Sequence, residues 1–336
     1  MNYPIDRRSA LSIGAGAIAA AAAATLPTRS SAAKTPTGLV ESAPSFEALF
    51  PSTRYYEIES RIAGARFAAW VTLPAQYDAD RTKTYPIVYQ MDGNLFLPAT
   101  APFHQGEGDK LSPHIPFIMV SVGYSKRESH AWPWLRIRDL TPPGEAVPDV
   151  IRQTVEPAVK AGRLSQDEGR RYLAMFANPA ADAFLAFLEQ ELHPQIATAL
   201  RVDETDVALW GYSYGGLFST YVAIERSDLF KCVGAGSPGI VAENSQIFKL
   251  YQQAVASKND YSGRRLHVTL GARELAQPSL YQWIIARGTS ELLAQTALHP
   301  LPGLKVSGEI IPLETHLTGA VPGWFSFVRA CYQSPR

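Results

Sequence analysis

Residues 207–218 read VALWGYSYGGLF, and this stretch decides the fold. An apolar run ends in the pattern G-x-S-x-G, in which Gly211 and Gly215 flank Ser213, and a segment compatible with a helix follows over 217–226. Glycines let the backbones of a strand and a helix approach closely, and a serine between them tolerates a strained conformation that exposes its Oγ. A helix N-terminus also favours a developing negative charge. The pattern predicts a nucleophilic Ser213 on a strand-to-helix turn; the alternative is an ordinary glycine-rich turn.

The composition indicates a globular enzyme with one large core. The chain has 336 residues, of which 46% are hydrophobic and 18% are charged,. Its formal net charge of zero argues against a nucleic acid as partner,. No motif indicates a metal or an organic cofactor, so we expect none. The sequence does not specify the oligomeric state.

The first residues are typical of a targeting segment. Arg7 and Arg8 precede an alanine-rich apolar run over 10–26, and small residues at 31–33 offer a cleavage site. This pattern predicts a twin-arginine export signal over 1–33, a linker over 34–45 and a periplasmic or secreted enzyme domain over 46–336. The alternative is an uncleaved membrane anchor, which the short, weakly hydrophobic run disfavours. We expect no stable membrane insertion after signal removal.

Strand-like and helix-like segments alternate along the domain. Unbroken apolar runs suit parallel strands that are covered on both faces, and repeated strand–helix–strand units indicate a mostly parallel sheet between helices. We expect an α/β-hydrolase fold, with a helical cap inserted over 141–180. Besides the strand before Ser213, the predicted strands are 54–62, 66–73, 85–91, 116–123, 232–236, 266–270 and 305–311, and the clearest predicted helices are 181–200, 246–256, 279–298 and 325–332.

In this fold a catalytic triad follows the chain order serine, acid, histidine. His267, His299 and His316 come after Ser213, but His316 alone lies just after the last predicted strand. His267 lies inside an apolar run, and His299 precedes the last strand. The order therefore favours His316 as the general base over a role as an ordinary loop histidine.

The acid should follow the predicted strand 266–270. Glu274 is the first carboxylate there, and it could orient the imidazole and stabilise the imidazolium,. A solvated loop charge is the alternative role for Glu274. Glu314 is the rival acid, but it lies two positions before His316, which leaves little chain to aim its carboxylate at the ring.

An oxyanion hole needs two N–H donors where negative charge develops. The residue after the nucleophile, Tyr214, can supply one backbone N–H. The turn after the strand 85–91 can supply the other, from Gly93 or Asn94, because a glycine-containing turn leaves N–H groups free.

Several short motifs in order resemble one family. They are 88–93 (VYQMDG), 138–142 (RDLTP), the segment 184–194 ending in His-Pro, 209–217 and Ser237-Pro238. Together they are similar to the putative-esterase family of α/β-hydrolases, and most of all to the enterobactin and salmochelin esterases, which hydrolyse siderophores. The likeness covers roughly 50–330. It implies serine ester hydrolysis, with Ser213 as nucleophile and His316 as base. Some members work with a serine–histidine dyad, so the resemblance does not decide whether Glu274 acts as the acid of a triad.

Two departures from the family bear on the substrate. The family often has histidine where this chain has Tyr212, and 144–179 reads as a longer cap. Trp132, Trp134 and Arg138 are expected at the same edge as the site, where aromatic rings and a guanidinium could form a wall for an aryl or anionic acyl group. The alternative is a packed tryptophan corner in which Arg138 pairs with Asp139. Tyr212, Trp132, Trp134 and Arg138 are thus the candidate substrate-binding residues.

Cys232 and Cys331 are the two cysteines, 99 positions apart. An oxidising compartment would permit a disulfide, but two cysteines in a chain of this size do not form a framework. We therefore expect two separately buried thiols.

These features predict a secreted serine carboxylic-ester hydrolase of the EC 3.1 type. It would act through an acyl-enzyme on a small-molecule ester, either siderophore-like or aryl. An acyltransferase on the same fold is one alternative, because an acceptor alcohol can replace water. A catalytically silent binding protein is another, although such a protein would be expected to have lost Ser213 or His316.

Overall fold

The computed structural model describes residues 43, 45–105, 114–242, 244–276 and 279–333. The predicted export signal and most of the predicted linker lie outside these residues. Within the described ranges, no helix combines the length and the apolar character that a membrane crossing requires.

Eight strands form one sheet in the order β1-β2-β4-β3-β5-β6-β7-β8. Strand β2 runs antiparallel to both of its neighbours, β1 and β4. The other six strands, β3 to β8, run parallel to one another. The prediction of a mostly parallel sheet is confirmed. The strands are β1 Thr53–Ser60, β2 Ala65–Thr72, β3 Tyr85–Gln90, β4 Ile118–Tyr124, β5 Val202–Tyr212, β6 Cys232–Gly236, β7 Arg265–Gly271 and β8 Lys305–Ile311.

Helices cover both faces of this sheet. The α-helices are α1 Phe46–Leu49, α2 Gly93–Gln105, α3 Trp132–Leu140, α4 Asp149–Arg152, α5 Val155–Lys160, α6 Gln166–Phe176, α7 Ala181–Phe187, α8 His193–Ala199, α9 Tyr214–Ile224, α10 Gln246–Ser257, α11 Ala272–Ala276, α12 Arg287–Leu298 and α13 Ala320–Tyr332. A 3₁₀ turn spans Ser129–Ala131, and π-helical turns span Leu188–Leu192 and Gln282–Ala286.

The central strands bury side chains on both faces. Leu209 belongs to the core on one face, whereas Ala208 and Trp210 belong to the core on the other, where α2 and α13 pack. Successive strand residues point to opposite faces, so a strand with a core on each side must be apolar at every position. This arrangement explains the unbroken apolar run before Ser213.

A helix follows β4 after a short turn. Trp132–Leu140 forms α3, and Pro133 fits its first turn because proline lacks an N–H that would be unpaired there anyway,. The helix predicted over 181–200 consists of α7, a π-helical turn and α8. The segment predicted as a cap contains α4, α5 and α6, and Ser165 begins α6 with a capping box,. The bounds of the cap stay a prediction.

The two cysteines are paired, so the expectation of separate thiols is wrong. Cys232 in β6 and Cys331 in α13 are joined as a disulfide, with their Cα atoms 7.0 Å apart. The C-terminal helix packs back across β6, which brings together two positions that lie far apart in the sequence.

Candidate active site

Ser213 lies on the turn between β5 and α9. Its φ of 59° and ψ of −115° are unusual for a residue with a side chain,. The turn brings the backbone so close together that position 211 must be glycine, because a Cβ there would lie 2.2 Å from the carbonyl oxygen of Gly215. A strained conformation that the fold maintains is frequent where a side chain must be presented for chemistry. The turn places Ser213 at the carboxyl edge of the parallel sheet and at the N-terminus of α9.

His316 lies between Ser213 and Glu274. Its Nε2 is 3.1 Å from the Ser213 Oγ, and its Nδ1 is 2.7 Å from the Glu274 Oε1. A carboxylate accepts hydrogen bonds, so Nδ1 carries the proton and Nε2 is left to accept the hydroxyl proton of Ser213. Each nitrogen of the imidazole therefore has its own partner: Nδ1 bonds to Glu274, and Nε2 bonds to Ser213.

The carboxylate of Glu274 is buried and held by several donors. Its side chain is 1% exposed, and Oε2 accepts hydrogen bonds from the Ser237 hydroxyl at 2.7 Å and the Gly271 N–H at 2.8 Å. Gly271 ends β7 and Glu274 lies in the short helix that follows, so the turn after β7 aims the acid at the histidine. Sequence reasoning missed the role of Ser237, although Ser237-Pro238 was among the family motifs.

The rival acid, Glu314, does not bond to the histidine. Glu314 uses its backbone carbonyl to accept a hydrogen bond from the Arg273 N–H at 3.0 Å. Among the described residues its side chain has no hydrogen bond or ion pair. The structure therefore brings Glu274, and not Glu314, to the imidazole.

Two tyrosines hold the histidine loop. The Tyr281 ring stacks on the His316 ring, with centroids 4.3 Å apart and planes 23° apart. The Tyr212 hydroxyl donates to the backbone carbonyl of His316 at 2.7 Å, and Tyr212 itself is 4% exposed. Tyr212 was predicted to touch substrate, but this burial leaves little of it for a substrate to contact. Nothing in the sequence marked Tyr281.

The predicted oxyanion donors come from neighbouring strand ends. Tyr214 is the first residue of α9, and Gly93 is the first residue of α2, after the adjacent strand β3. The first N–H groups of a helix have no partner within it, so these backbone donors suit an oxyanion. The side chain of Asn94 is already engaged, because it bonds to both the N–H and the carbonyl of Tyr124. The Asn94 backbone N–H is therefore its candidate donor.

A pocket opens beside Ser213. Its cavity volume is only about 30 Å³, and the cavity opens to solvent. No lysine or arginine is found among the described residues that line it. Its walls combine the start of the cap segment with the turns after β5 and β6 and the π-helical turn before α12, and they comprise Thr141, Glu145, Ala146, Pro148, Ser213, Tyr214, Leu217, Gly239, Val241, Ile284 and Ile285.

The predicted aromatic and guanidinium wall is not part of this pocket. Trp134 is 6% exposed and stacks on Tyr172 in the core beneath the cap segment. Arg138 pairs with Asp139 through its Nη2 at 2.5 Å, which is the structural arrangement that the sequence left open as the alternative. Trp132 is half-buried, and its indole N–H donates to Asp92 at 3.3 Å. The helical register of α3 turns these side chains toward the protein interior.

The described residues contain no group of three or more His, Cys, Asp or Glu side chains that could hold a metal ion.

Comparison with known proteins agrees with the sequence motifs. The family model described as "Putative esterase" matches residues 144–278, a range that includes Ser213, Ser237 and Glu274 but ends before His316. The resemblance to this family is confirmed.

Two curated proteins show the same likeness. The chain is 29% identical to the ferri-bacillibactin esterase BesA of Bacillus subtilis over 57% of this chain and 61% of that protein. It is 28% identical to a siderophore enterobactin esterase of Emericella nidulans, over 57% of this chain and 59% of that protein. Each match thus spans less than two thirds of the relative's own length.

A solved structure agrees in fold. The BES protein from Bacillus cereus superposes with a TM-score of 0.65 at 21% identity, and the match covers 87% of this chain and 97% of that one. The α/β-hydrolase fold predicted from the sequence is confirmed.

Proposed function

We propose that this protein is a serine carboxylic-ester hydrolase that works through an acyl-enzyme. The observation that supports this most directly is the chain of hydrogen bonds from the Ser213 Oγ through His316 to the buried carboxylate of Glu274. A nucleophile, a base and a group that orients the base occur here in the order and at the distances that acyl transfer needs. The esterase names of the relatives agree with this chemistry.

In the acylation step, His316 Nε2 takes the proton of the Ser213 hydroxyl as the Oγ attacks the ester carbonyl. The C–O π electrons move to the carbonyl oxygen, and the backbone N–H groups of Tyr214 and of Gly93 or Asn94 stabilise the oxyanion. The tetrahedral species then collapses, the bond to the leaving alcohol breaks, and the imidazolium returns the proton to the departing oxygen. Glu274 stabilises the imidazolium and does not take its proton.

Deacylation repeats the same steps with water. His316 removes a proton from a water molecule, the hydroxide attacks the acyl carbon, and the free acid leaves as Ser213 regains its proton from His316. The Tyr281 ring lies face to face with the imidazole, so it can also stabilise the transient imidazolium by a cation–π interaction,.

The pocket supports an acyl group without negative charge. Its lining is mainly apolar, and the nearby carboxyl of Glu145 accepts hydrogen bonds from Ser245 and from the Gln246 N–H. Burial raises the pKa of Glu145, although these hydrogen bonds oppose the shift. The ionised form of Glu145 would repel an anionic acyl group, and no lysine or arginine among the described lining residues would offset that repulsion. We therefore propose an aryl ester or a siderophore-like ester, whose ester group would reach Ser213 while any charged parts stay outside the pocket.

A substrate panel tests the proposed function. The purified domain is expected to hydrolyse p-nitrophenyl esters whose acyl groups carry no charge, and to hydrolyse a catecholate triester. A p-nitrophenyl ester of a dicarboxylic acid, which places a carboxylate on the acyl side, should react more slowly than a neutral ester of the same length. Release of p-nitrophenol and chromatography of the triester products measure both. Absence of hydrolysis with every ester would contradict the proposal.

The export signal gives a separate expected result. We propose that residues 1–33 are removed and that the enzyme acts in the periplasm. Mass spectrometry of the periplasmic protein should find a mature N-terminus after this segment, and an R7K/R8K double variant should stay in the cytoplasm because the arginine pair is the recognised signal. An intact N-terminus in the membrane fraction would instead establish an anchor.

A further inference from the structure

A buried ion pair lies directly beside the nucleophile turn. Arg136 in α3 binds both carboxylate oxygens of Asp92, with Nε–Oδ1 at 2.7 Å and Nη2–Oδ2 at 2.6 Å. The side chains are 11% and 1% exposed, respectively. The guanidinium also lies over the rings of Trp132 and Tyr214, at 5.4 and 5.3 Å from their centroids. A bidentate pair whose guanidinium also packs against two aromatic rings has one favoured geometry, so it acts as a rigid spacer.

Asp92 holds one predicted oxyanion loop. It follows β3 with a left-handed φ of 58°, and it immediately precedes Gly93 at the start of α2. Its backbone carbonyl accepts hydrogen bonds from the N–H groups of Leu95 and Phe96, at 2.8 and 3.0 Å. A residue with this φ keeps it when its surroundings over-determine it, and here the side chain is fixed by Arg136. The direction of the Gly93 and Asn94 N–H groups therefore depends on Asp92.

The same pair reaches the other oxyanion loop. Arg136 Nη2 lies 3.5 Å from the carbonyl oxygen of Tyr212, the residue before Ser213. The Asp92 Oδ2 is so close to the turn that a Cβ on Gly215 would lie 3.2 Å from it. One ion pair thus contacts both the loop after β3 and the turn that presents Ser213 and the Tyr214 N–H.

We propose that Arg136 and Asp92 are positioning residues that set the distance between the two halves of the oxyanion hole. The proposal rests on the proposed serine-esterase function, because it assigns a role within that reaction. Neither side chain is required to touch substrate. They would lower the energy of the transition state, in which the two N–H donors must converge on one oxygen.

The test compares two lysine substitutions at buried arginines. Arg136→Lys keeps the charge but cannot bind both oxygens of Asp92 and stack in the same way. Arg264→Lys is the matched control, because Arg264 is similarly buried, with a side chain 9% exposed, and binds the carbonyls of Ser227 and Phe230. It precedes β7, at the sheet edge opposite Ser213. Both variants are expected to lower thermal stability.

Only Arg136→Lys is expected to alter the chemistry. Its kcat should fall by about 10²-fold, since a misplacement of about 1 Å costs that much, while KM changes far less. Its affinity for a trifluoromethyl ketone, which forms a reversible tetrahedral adduct with the serine, should fall by the same factor. Arg264→Lys should keep both values near those of the wild type. Asp92→Asn should lower kcat and ketone affinity in the same way, because asparagine tolerates the left-handed φ but cannot form the ion pair. It replaces Arg136→Lys in the test if that variant does not fold.

The outcomes separate the two proposals. A wild-type protein that hydrolyses no ester would overturn the proposed function and the positioning role with it. An active wild type whose Arg136→Lys and Asp92→Asn variants match Arg264→Lys in kcat would overturn the positioning role alone. A fall in kcat without loss of affinity for the ketone would also overturn it, because the oxyanion donors would then be in place.

Discussion

Replacing Ser213 by alanine is expected to lower kcat by on the order of 10⁶-fold, because loss of the nucleophile removes the covalent route altogether. The fold should remain intact. Alanine meets the same backbone strain as serine at a φ of 59°, and the glycines around the turn are unchanged. Hydrolysis of a p-nitrophenyl ester measures the rate, and thermal unfolding measures the integrity of the fold.

The same helix offers a matched control. Ser219 lies in α9, and its buried Oγ has no hydrogen-bond partner among the described atoms, so Ser219→Ala removes a hydroxyl without breaking a hydrogen bond. This variant should keep its activity. A fluorophosphonate should add its mass to Ser213 in the wild type and the Ser219 variant but not in the Ser213 variant. Activity of Ser213→Ala within about tenfold of the wild type would exclude Ser213 as the nucleophile.

Glu274→Gln is expected to lower kcat by about 10⁴-fold, because an amide in place of the acid selects the wrong tautomer of the histidine. The structure specifies which way the amide would turn. The Ser237 hydroxyl and the Gly271 N–H both point at Oε2, so the amide oxygen must take that position. Its NH₂ would then face His316 Nδ1, which would have to accept, and Nε2 would carry the proton. The imidazole could no longer take a proton from Ser213.

Glu314→Gln is the control for this prediction. Its side chain has no hydrogen bond or ion pair among the described residues, and it lies on the same loop as His316. This substitution should change kcat little, as judged with the same ester over a range of pH. A Glu274→Gln enzyme that stays nearly as active as the wild type would show instead that Ser213 and His316 work as a dyad.

Much of the arrangement follows from the order of elements along the chain. In a parallel sheet the carboxyl ends of the strands meet at one edge, so residues just after β5, β7 and β8 must lie near one another,. That rule selected Ser213, Glu274 and His316 before any distance was known. The structure brings these residues within hydrogen-bond distance, and the fold that underlies the rule is confirmed.

The order of elements does not predict which side of a helix faces the site. Arg136 and Arg138 lie two positions apart in α3, so their side chains point to nearly opposite sides of the helix,. Sequence reasoning chose Arg138 because it was expected at the same edge as the site, whereas the fold turns Arg138 to Asp139 and Arg136 to Asp92 beside the nucleophile turn. The choice depends on how α3 is rotated against the sheet, and packing of the whole chain sets that rotation.

The sequence by itself determined which segments form the strands, the turn that presents Ser213 and the loops that hold its partners, because periodicity and chain order encode them locally. Tertiary structure alone decided that Ser237 and Gly271 hold the acid, that Tyr281 stacks on His316, and that Cys232 meets Cys331. Each of these contacts joins residues from separate elements. Their meeting depends on the angles and distances at which those elements pack, and no local pattern of residues specifies these quantities.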